Sequence, residues 1–335
     1  VRELEHRIVL TENCNASCKH CFNAESRDGN VMDYNLFLQF MEHHSEFLNN
    51  FSLKIMGGEP TVHPKFIELT AKACEYYPLV MVFTNGLKLN EILRHPDLMK
   101  YHFEGRLGYV VNGFTFDLDK FDEYKNYADV INLHFVFTRN GSDEIVDKAI
   151  ESLKYNSKVH IKYSADTQVN LFDRKEMIEY RKIWMGAVLK LIPVLMEKQA
   201  SYSFDRQLPI CFFTQKMIET LEAHHITNIN IAGTCCNCVP LGLIDYNFDL
   251  YFCNQTRIKL GSVINQDGTF KSMDEIRDMI KVGPSKKVTG IKKLSNKCKR
   301  CVSLATCKVG CYYNTLQREY INENSTNFKD RREKN

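Results

Sequence analysis

Arg7-Ile8-Val9-Leu10-Thr11-Glu12-Asn13-Cys14-Asn15-Ala16-Ser17-Cys18-Lys19-His20-Cys21-Phe22 is the stretch on which the reading of this 335-residue chain turns. It opens as an apolar strand, Arg7 to Leu10, and runs into the polar loop Thr11-Glu12-Asn13. Three cysteines then arrive in the spacing Cys-x3-Cys-x2-Cys. Three thiolates on one short loop can hold three irons of a 4Fe–4S cluster and leave the fourth iron without a protein ligand. A zinc site would ask for four ligands, commonly in paired Cys-x2-Cys units. Here the first gap is three residues, and no fourth Cys or His follows at zinc spacing, since His20 lies between two of the cysteines.

Working outward, a second apolar run, Ser52-Leu53-Lys54-Ile55-Met56, ends in Gly57-Gly58-Glu59-Pro60. Glycines at a strand end let the backbone approach a ligand closely. Their exposed backbone groups, with the Glu59 carboxylate nearby, suit a ligand ammonium. A third run ends Val82-Phe83-Thr84-Asn85-Gly86, which also reads as an Asn-Gly turn. Strands are expected near 6–11, 52–56, 79–84, 107–112, 130–138 and 158–163. Helical patterns lie between them. Asp33 can cap a helix with Leu36, Phe37, Phe40, Met41, Phe47 and Leu48 on its apolar face. Others run from about Lys65 to Tyr77, from a Ser142 cap through Leu153, and over 174–192, where Pro193 is expected to end the helix. Strands alternating with helices predict an α/β fold with a parallel sheet and helices outside, functional residues gathering at the strands' C-terminal ends. Cys74, on an apolar helix face, reads as a core residue.

These motifs resemble the radical S-adenosylmethionine (SAM) enzymes, whose signature is Cys-x3-Cys-x-φ-Cys with φ usually aromatic. Cys14, Cys18 and Cys21 match it, with His20 in the φ position, where the resemblance places it beside SAM. Gly57-Gly58-Glu59-Pro60 resembles the family's "GGEP" segment, which binds the SAM amino group, and Thr84-Asn85-Gly86 its "TNG". The resemblance implies a partial (β/α)6 barrel. At the fourth strand the chain departs from the family: Val110 stands where many relatives have a SAM-contacting Ser, and Asn112 is expected to compensate. After the fifth strand, Asn140 is read as a SAM contact and Arg139 as a partner for its carboxylate, or both as solvated turn residues.

The last quarter carries Cys298-x2-Cys301-x5-Cys307-x3-Cys311. An array this compact indicates a metal centre. It resembles the SPASM extension of peptide-modifying radical SAM enzymes. Cys238 and Cys253 fit the family's first pair, with Phe248 where the family has Gly. By that resemblance, auxiliary cluster I uses Cys235 or Cys236 with Cys238, Cys253 and Cys311. Cluster II uses Cys298, Cys301 and Cys307, and the family's usual last cysteine is absent from 312–335. Side chains on consecutive residues diverge, so one of Cys235 and Cys236 is read as a ligand, the other as a packed thiol or a hydrogen donor to a substrate radical. Cys235-x2-Cys238 with Cys298-x2-Cys301 also has zinc-ribbon spacing. The organisation expected is a barrel over 1–200, a bridging region over 201–234, a SPASM-like domain over 235–320 and a polar tail over 321–335.

Thirteen cysteines with no export signal point to a reducing, cytoplasmic setting and metal binding rather than disulfides. The net charge of +3 argues for neither nucleic acid nor membrane. No run approaches a membrane span, the best, Ile183 to Leu189, stopping at Lys190. The resemblance implies reductive cleavage of SAM to a 5′-deoxyadenosyl radical that abstracts hydrogen from a substrate, with electrons from a flavodoxin or ferredoxin type donor and one or two auxiliary 4Fe–4S clusters. The first expectation is a maturase of a ribosomally made peptide (cross-link, thioether, epimerisation or backbone cleavage). With no peptide-binding domain before the first strand, it would bind its peptide directly or through a separate leader-binding protein. The alternatives are a small-molecule dehydrogenase and a non-enzymatic iron–sulfur carrier or redox sensor.

Overall fold

A computed structural model describes residues 4–18, 21, 29–138, 142–155, 160–165, 169, 173–204, 208, 210–226, 242–251 and 259–288. Six strands, β1 (Leu4–Thr11), β2 (Phe51–Gly57), β3 (Leu79–Thr84), β4 (Leu107–Asn112), β5 (Ile131–Phe137) and β6 (His160–Ala165), lie side by side in chain order, every pair parallel. Their C-terminal ends therefore share one edge, and the three-cysteine loop leaves from it at Thr11.

The helices that carry the chain between them are α1 (Tyr34–His43), α2 (Phe66–Tyr76), α3 (Pro96–Phe103) and α4 (Ser142–Tyr155), with α5 (Arg174–Glu197) after β6. Period-two burial explains the layering. On β3, Val80, Val82 and Thr84 are buried while Leu79, Met81 and Phe83 are partly open. On β5, Ile131, Leu133, Phe135 and Phe137 are buried. The buried set meets apolar helix faces such as Phe37, Phe40 and Met41 of α1 and Leu69, Ala73 and Cys74 of α2. Cys74 is a core residue, and burial pushes its thiol up to about 12.

Three expectations need correction. The first helix stops at His43, and Ser45–Leu48 is a separate turn. Between them the His44 ring nitrogens reach Phe40 O (2.9 Å) and Lys271 O (2.8 Å), a side-chain competitor for the helix ladder, and Phe47 is left 41% exposed. Ser142 is the first helical residue of α4 rather than a residue before it. Pro193 does not end α5, which continues to Glu197. The proline forfeits one backbone bond, and burial of Ile192 and Leu195 around it offsets that loss.

The sheet also extends past both predicted edges. β7 (Tyr202–Phe204) adds to β6 in parallel, inside the stretch read as a bridging region, and is followed by α6 (Gln215–Ala223). On the other edge β8 (Leu243–Ile244) pairs with β1 in parallel. An antiparallel set then continues through β9 (Asp249–Tyr251) and β10 (Lys259–Ser262), with α7 (Met273–Val288) after it. The strands between Leu243 and Ser262 are thus stitched to the strand that carries the cysteine loop.

In the turn between β8 and β9, Phe248 adopts φ +59°, the left-handed region, at the place where the resemblance has glycine. Asp245 holds the turn, its Oδ1 accepting from the Asn247 and Asp249 amides at 2.9 and 3.0 Å. Phe248 is fully buried, its ring 5.8 Å from Phe40 and 5.5 Å from Phe270. Left-handed strain costs roughly 1–2 kcal/mol, whereas loss of a buried phenyl ring costs roughly 3–5 kcal/mol. Phe248→Gly should therefore destabilise the chain by about 2 kcal/mol despite restoring the glycine, read from the denaturant midpoint. An unchanged or raised midpoint would show that strain outweighs packing.

Candidate active site

The chain leaves β1 at Thr11 in a loop, described over 12–18 and at 21, whose base is closed on both sides. Thr11 pairs with Val31, the Met32 amide donates to Leu10 O at 2.7 Å, and the Thr11 hydroxyl donates to Asn30 O at 2.7 Å. His63 adds a tie. Its Nδ1 accepts from the Lys65 amide (3.0 Å), so Nε2 carries the proton it donates to Met32 O (2.9 Å). Cys14, Cys18 and Cys21 sit in this loop, each partly exposed. The Ala16 amide donates to Cys14 Sγ at 3.4 Å, and the Cys21 amide to Cys18 O at 3.1 Å. His20 lies outside the described residues.

The Gly57-Gly58-Glu59-Pro60 turn packs directly onto the start of this loop. The Gly58 amide donates to Thr11 O at 2.9 Å and the Glu59 amide to Asn13 O at 2.7 Å. A Cβ on Gly58 would fall 2.5 Å from Asn13 O and 2.8 Å from the Glu12 carbonyl carbon, and one on Gly57 would overlap Thr11 O. The space these glycines keep clear is thus occupied by the cysteine loop's own backbone.

Glu59 differs from its expected role. Its carboxylate is completely buried and faces protein. Oε1 accepts from the Thr61 amide (3.2 Å) and the Thr84 hydroxyl (2.8 Å), and Oε2 from the Asn85 amide (2.5 Å). Burial pushes its carboxyl up, while these donors pull it down. Glu59 therefore caps the short turn Pro60–Val62, in which Pro60 is buried, and ties the end of β2 to the end of β3.

At the end of β4, Val110 is buried and Asn112 turns inward on its own loop, its Oδ1 accepting from the Phe114 amide at 3.1 Å. Arg139 and Asn140 lie outside the described residues, as do Cys235, Cys236, Cys238, Cys253, Cys298, Cys301, Cys307 and Cys311. Sequence reasoning singled out Asn85 within Thr84-Asn85-Gly86 but missed the polar layer it forms with Asn15 and Thr115. The Asn85 side chain donates to Asn15, and the Thr115 hydroxyl to Asn85 O. The Asn85-Gly86 pair carried a turn signal and the resemblance to the family's TNG segment, neither of which points to Asn15.

Among the described residues no three His, Cys, Asp or Glu side chains converge where a single metal ion could sit. Cluster thiolates bind separate irons, so they need not meet at one point. An all-sulfur loop with an N–H···S bond fits an iron–sulfur cluster better than a mononuclear ion.

The fold and site define a class: a parallel α/β sheet whose strand ends hold a three-cysteine loop against a glycine turn. Residues 8–164 match the model of the Radical SAM superfamily. It is similar to the tungsten-containing aldehyde ferredoxin oxidoreductase cofactor-modifying protein of Pyrococcus furiosus, 28% identical over 144 residues, 38% of this chain and 40% of that protein. Its matched segments span only 40% and 22% of the lengths of the curated relatives compared. Two solved structures share the fold. Native anSMEcpe with bound AdoMet covers 97% of this chain and 98% of its own, with TM-score 0.57 and 15% identity. Streptococcus suis SuiB bound to the precursor peptide SuiA covers 93% and 72%, with TM-score 0.57 and 18% identity. No helix among the described residues is long and apolar enough to cross a membrane.

Proposed function

We propose that this chain is a SAM-cleaving radical enzyme that modifies a ribosomally made peptide. The observation that carries the SAM reading is the three-cysteine loop seated on the Gly57-Gly58 turn at the C-terminal edge of a parallel sheet. Cys14, Cys18 and Cys21 would hold a 4Fe–4S cluster with one open iron. When bound, that cluster and SAM together supply a 5′-deoxyadenosyl radical able to take hydrogen from an unactivated C–H bond. The chain's own residues bind and orient. The Gly57 and Gly58 carbonyls would receive the SAM ammonium, with His20, Pro60, Asn112, Arg139 and Asn140 around it. Glu59 acts one layer behind, keeping the ends of β2 and β3 together.

The peptide reading is supported by the C-terminal cysteines and by the fold shared with SuiB, a structure of which holds its precursor peptide. In sequence, Cys238 precedes β8 by five residues and Cys253 follows β9 by two. Auxiliary cluster I would take Cys238, Cys253, Cys311 and one of Cys235 and Cys236, and cluster II Cys298, Cys301 and Cys307. A flavodoxin or ferredoxin type protein would deliver the electron, and a leader-binding protein would present the peptide. One observation favours a second reading, a cofactor or other small-molecule substrate: the relative from Pyrococcus furiosus is named a cofactor-modifying protein.

Iron counting tests the cluster assignment. Replacing Cys14, Cys18 and Cys21 together with Ala should remove about four irons per chain and leave the rest on the C-terminal cysteines. An unchanged iron count would overturn it. If the variant is iron-free yet folded and binds zinc, the C-terminal module is a zinc site.

A further inference from the structure

The proposed reading requires the gap between Cys14 and Cys18 to keep its shape, and that gap is gripped from another strand. We infer that Asn85, immediately after β3, is a positioning residue for this gap. Its Nδ2 donates to Asn15 Oδ1 at 2.7 Å, across 70 residues of chain. Its Oδ1 accepts from the Leu87 amide at 3.0 Å, which fixes the amide orientation with the donor side toward Asn15. The Asn85 backbone amide is taken by Glu59 at 2.5 Å, and its carbonyl accepts from the Thr115 hydroxyl.

All four hydrogen-bonding handles of Asn85 are thus engaged, and the residue is only 7% exposed. It is rigid, whereas its target Asn15 is exposed on the loop. The loop is held at Thr11 and Asn13 by the glycine turn and at Asn15 by Asn85. Cys14 lies between those grips. A ligand flanked by fixed points has its sulfur placed before iron arrives, and groups that support ligands in this way tune how firmly a metal is kept. Glu59 enters the same chain of contacts: it orients Asn85, and Asn85 orients the loop.

The inference rests on the proposed cluster, so the test has one arm that needs no iron. Amide hydrogen exchange over 12–18 is followed in the full, iron-free chain, and cluster loss to a ferrous chelator in the iron-loaded chain. The cluster's EPR change on adding SAM is recorded in parallel. Asn85→Ala and Asn15→Ala should each speed exchange and cluster loss about five- to tenfold, the effect of one lost hydrogen bond. The double variant should be no worse than either, because both remove the same bond. Asn15→Asp keeps an acceptor opposite the Asn85 amide and should retain the wild-type rates and EPR change. Additive single variants, or Asn15→Asp no better than Asn15→Ala, would overturn the inference. If Asn85→Ala loosens the whole chain, the exposed Asn15 variants still decide. If the wild type takes up no cluster, the proposed function falls and the exchange arm judges the Asn15–Asn85 contact alone.

Discussion

Gly58→Val should strip the cluster from the chain, not merely block SAM. From sequence alone the glycine keeps space for a ligand, and a branched side chain there would leave the cluster intact while excluding SAM. The structure fills that space with the backbone of Glu12 and Asn13, which a Cβ would meet at 2.8 Å and closer. Backbone cannot rotate away as a flexible side chain can. Either the loop lifts or the β2 turn shifts, at a cost of roughly 3 kcal/mol or more. Both break the Gly58–Thr11 and Glu59–Asn13 hydrogen bonds that place Cys14. The expected result is a folded chain that has lost about four irons and the matching visible absorbance. A variant with wild-type iron that fails only to bind SAM would restore the sequence-based account.

Glu59→Gln should be the second most damaging single change, although it is nearly isosteric. The carboxylate accepts from three donors, two on Oε1 and one on Oε2. A glutamine offers one oxygen and one NH2. With the NH2 at the Oε2 position it faces the Asn85 amide. Turned over, it faces the Thr61 amide, and only the Thr84 hydroxyl can rotate to accept. In either orientation a buried donor meets a donor, which costs about 3 kcal/mol. The melting temperature should fall and the cluster should become labile, since Asn85 loses its anchor. A variant as stable as the wild type and with normal SAM binding would mean that the carboxylate contributes nothing by accepting these bonds. A stable variant that had lost only SAM affinity would return Glu59 to a ligand-binding role.

What could be read from the sequence follows from how local each signal is. The six parallel strands were legible because each is an apolar run bounded by turn residues, and their predicted edges shift by only a few residues. The cysteine loop was legible because its spacing is itself the chemistry. β7 and β8 were not, being three and two residues long, too short for any periodicity. The α1 break at His44 escaped because its cause, the carbonyl of Lys271, is 227 residues away. Pro193 misled because a local rule was overridden by packing. At the site, Gly57 and Gly58 were singled out for close approach to a ligand, and the structure shows protein backbone closing on them. The partner is Thr11 to Asn13, brought there by strand pairing. Glu59 likewise finds Thr84 and Asn85 only once β2 and β3 lie side by side.

The central claim is that Cys14, Cys18 and Cys21 hold a cluster at which this chain cleaves SAM. It is tested most directly by reconstituting the protein with iron and sulfide under anoxic conditions, adding SAM and dithionite, and quantifying 5′-deoxyadenosine by mass spectrometry. The wild type should form it, and the Cys14, Cys18 and Cys21 triple Ala variant should form none while keeping its C-terminal iron. 5′-Deoxyadenosine produced at the wild-type rate by the triple variant, or none produced by a fully iron-loaded wild type, would contradict the account.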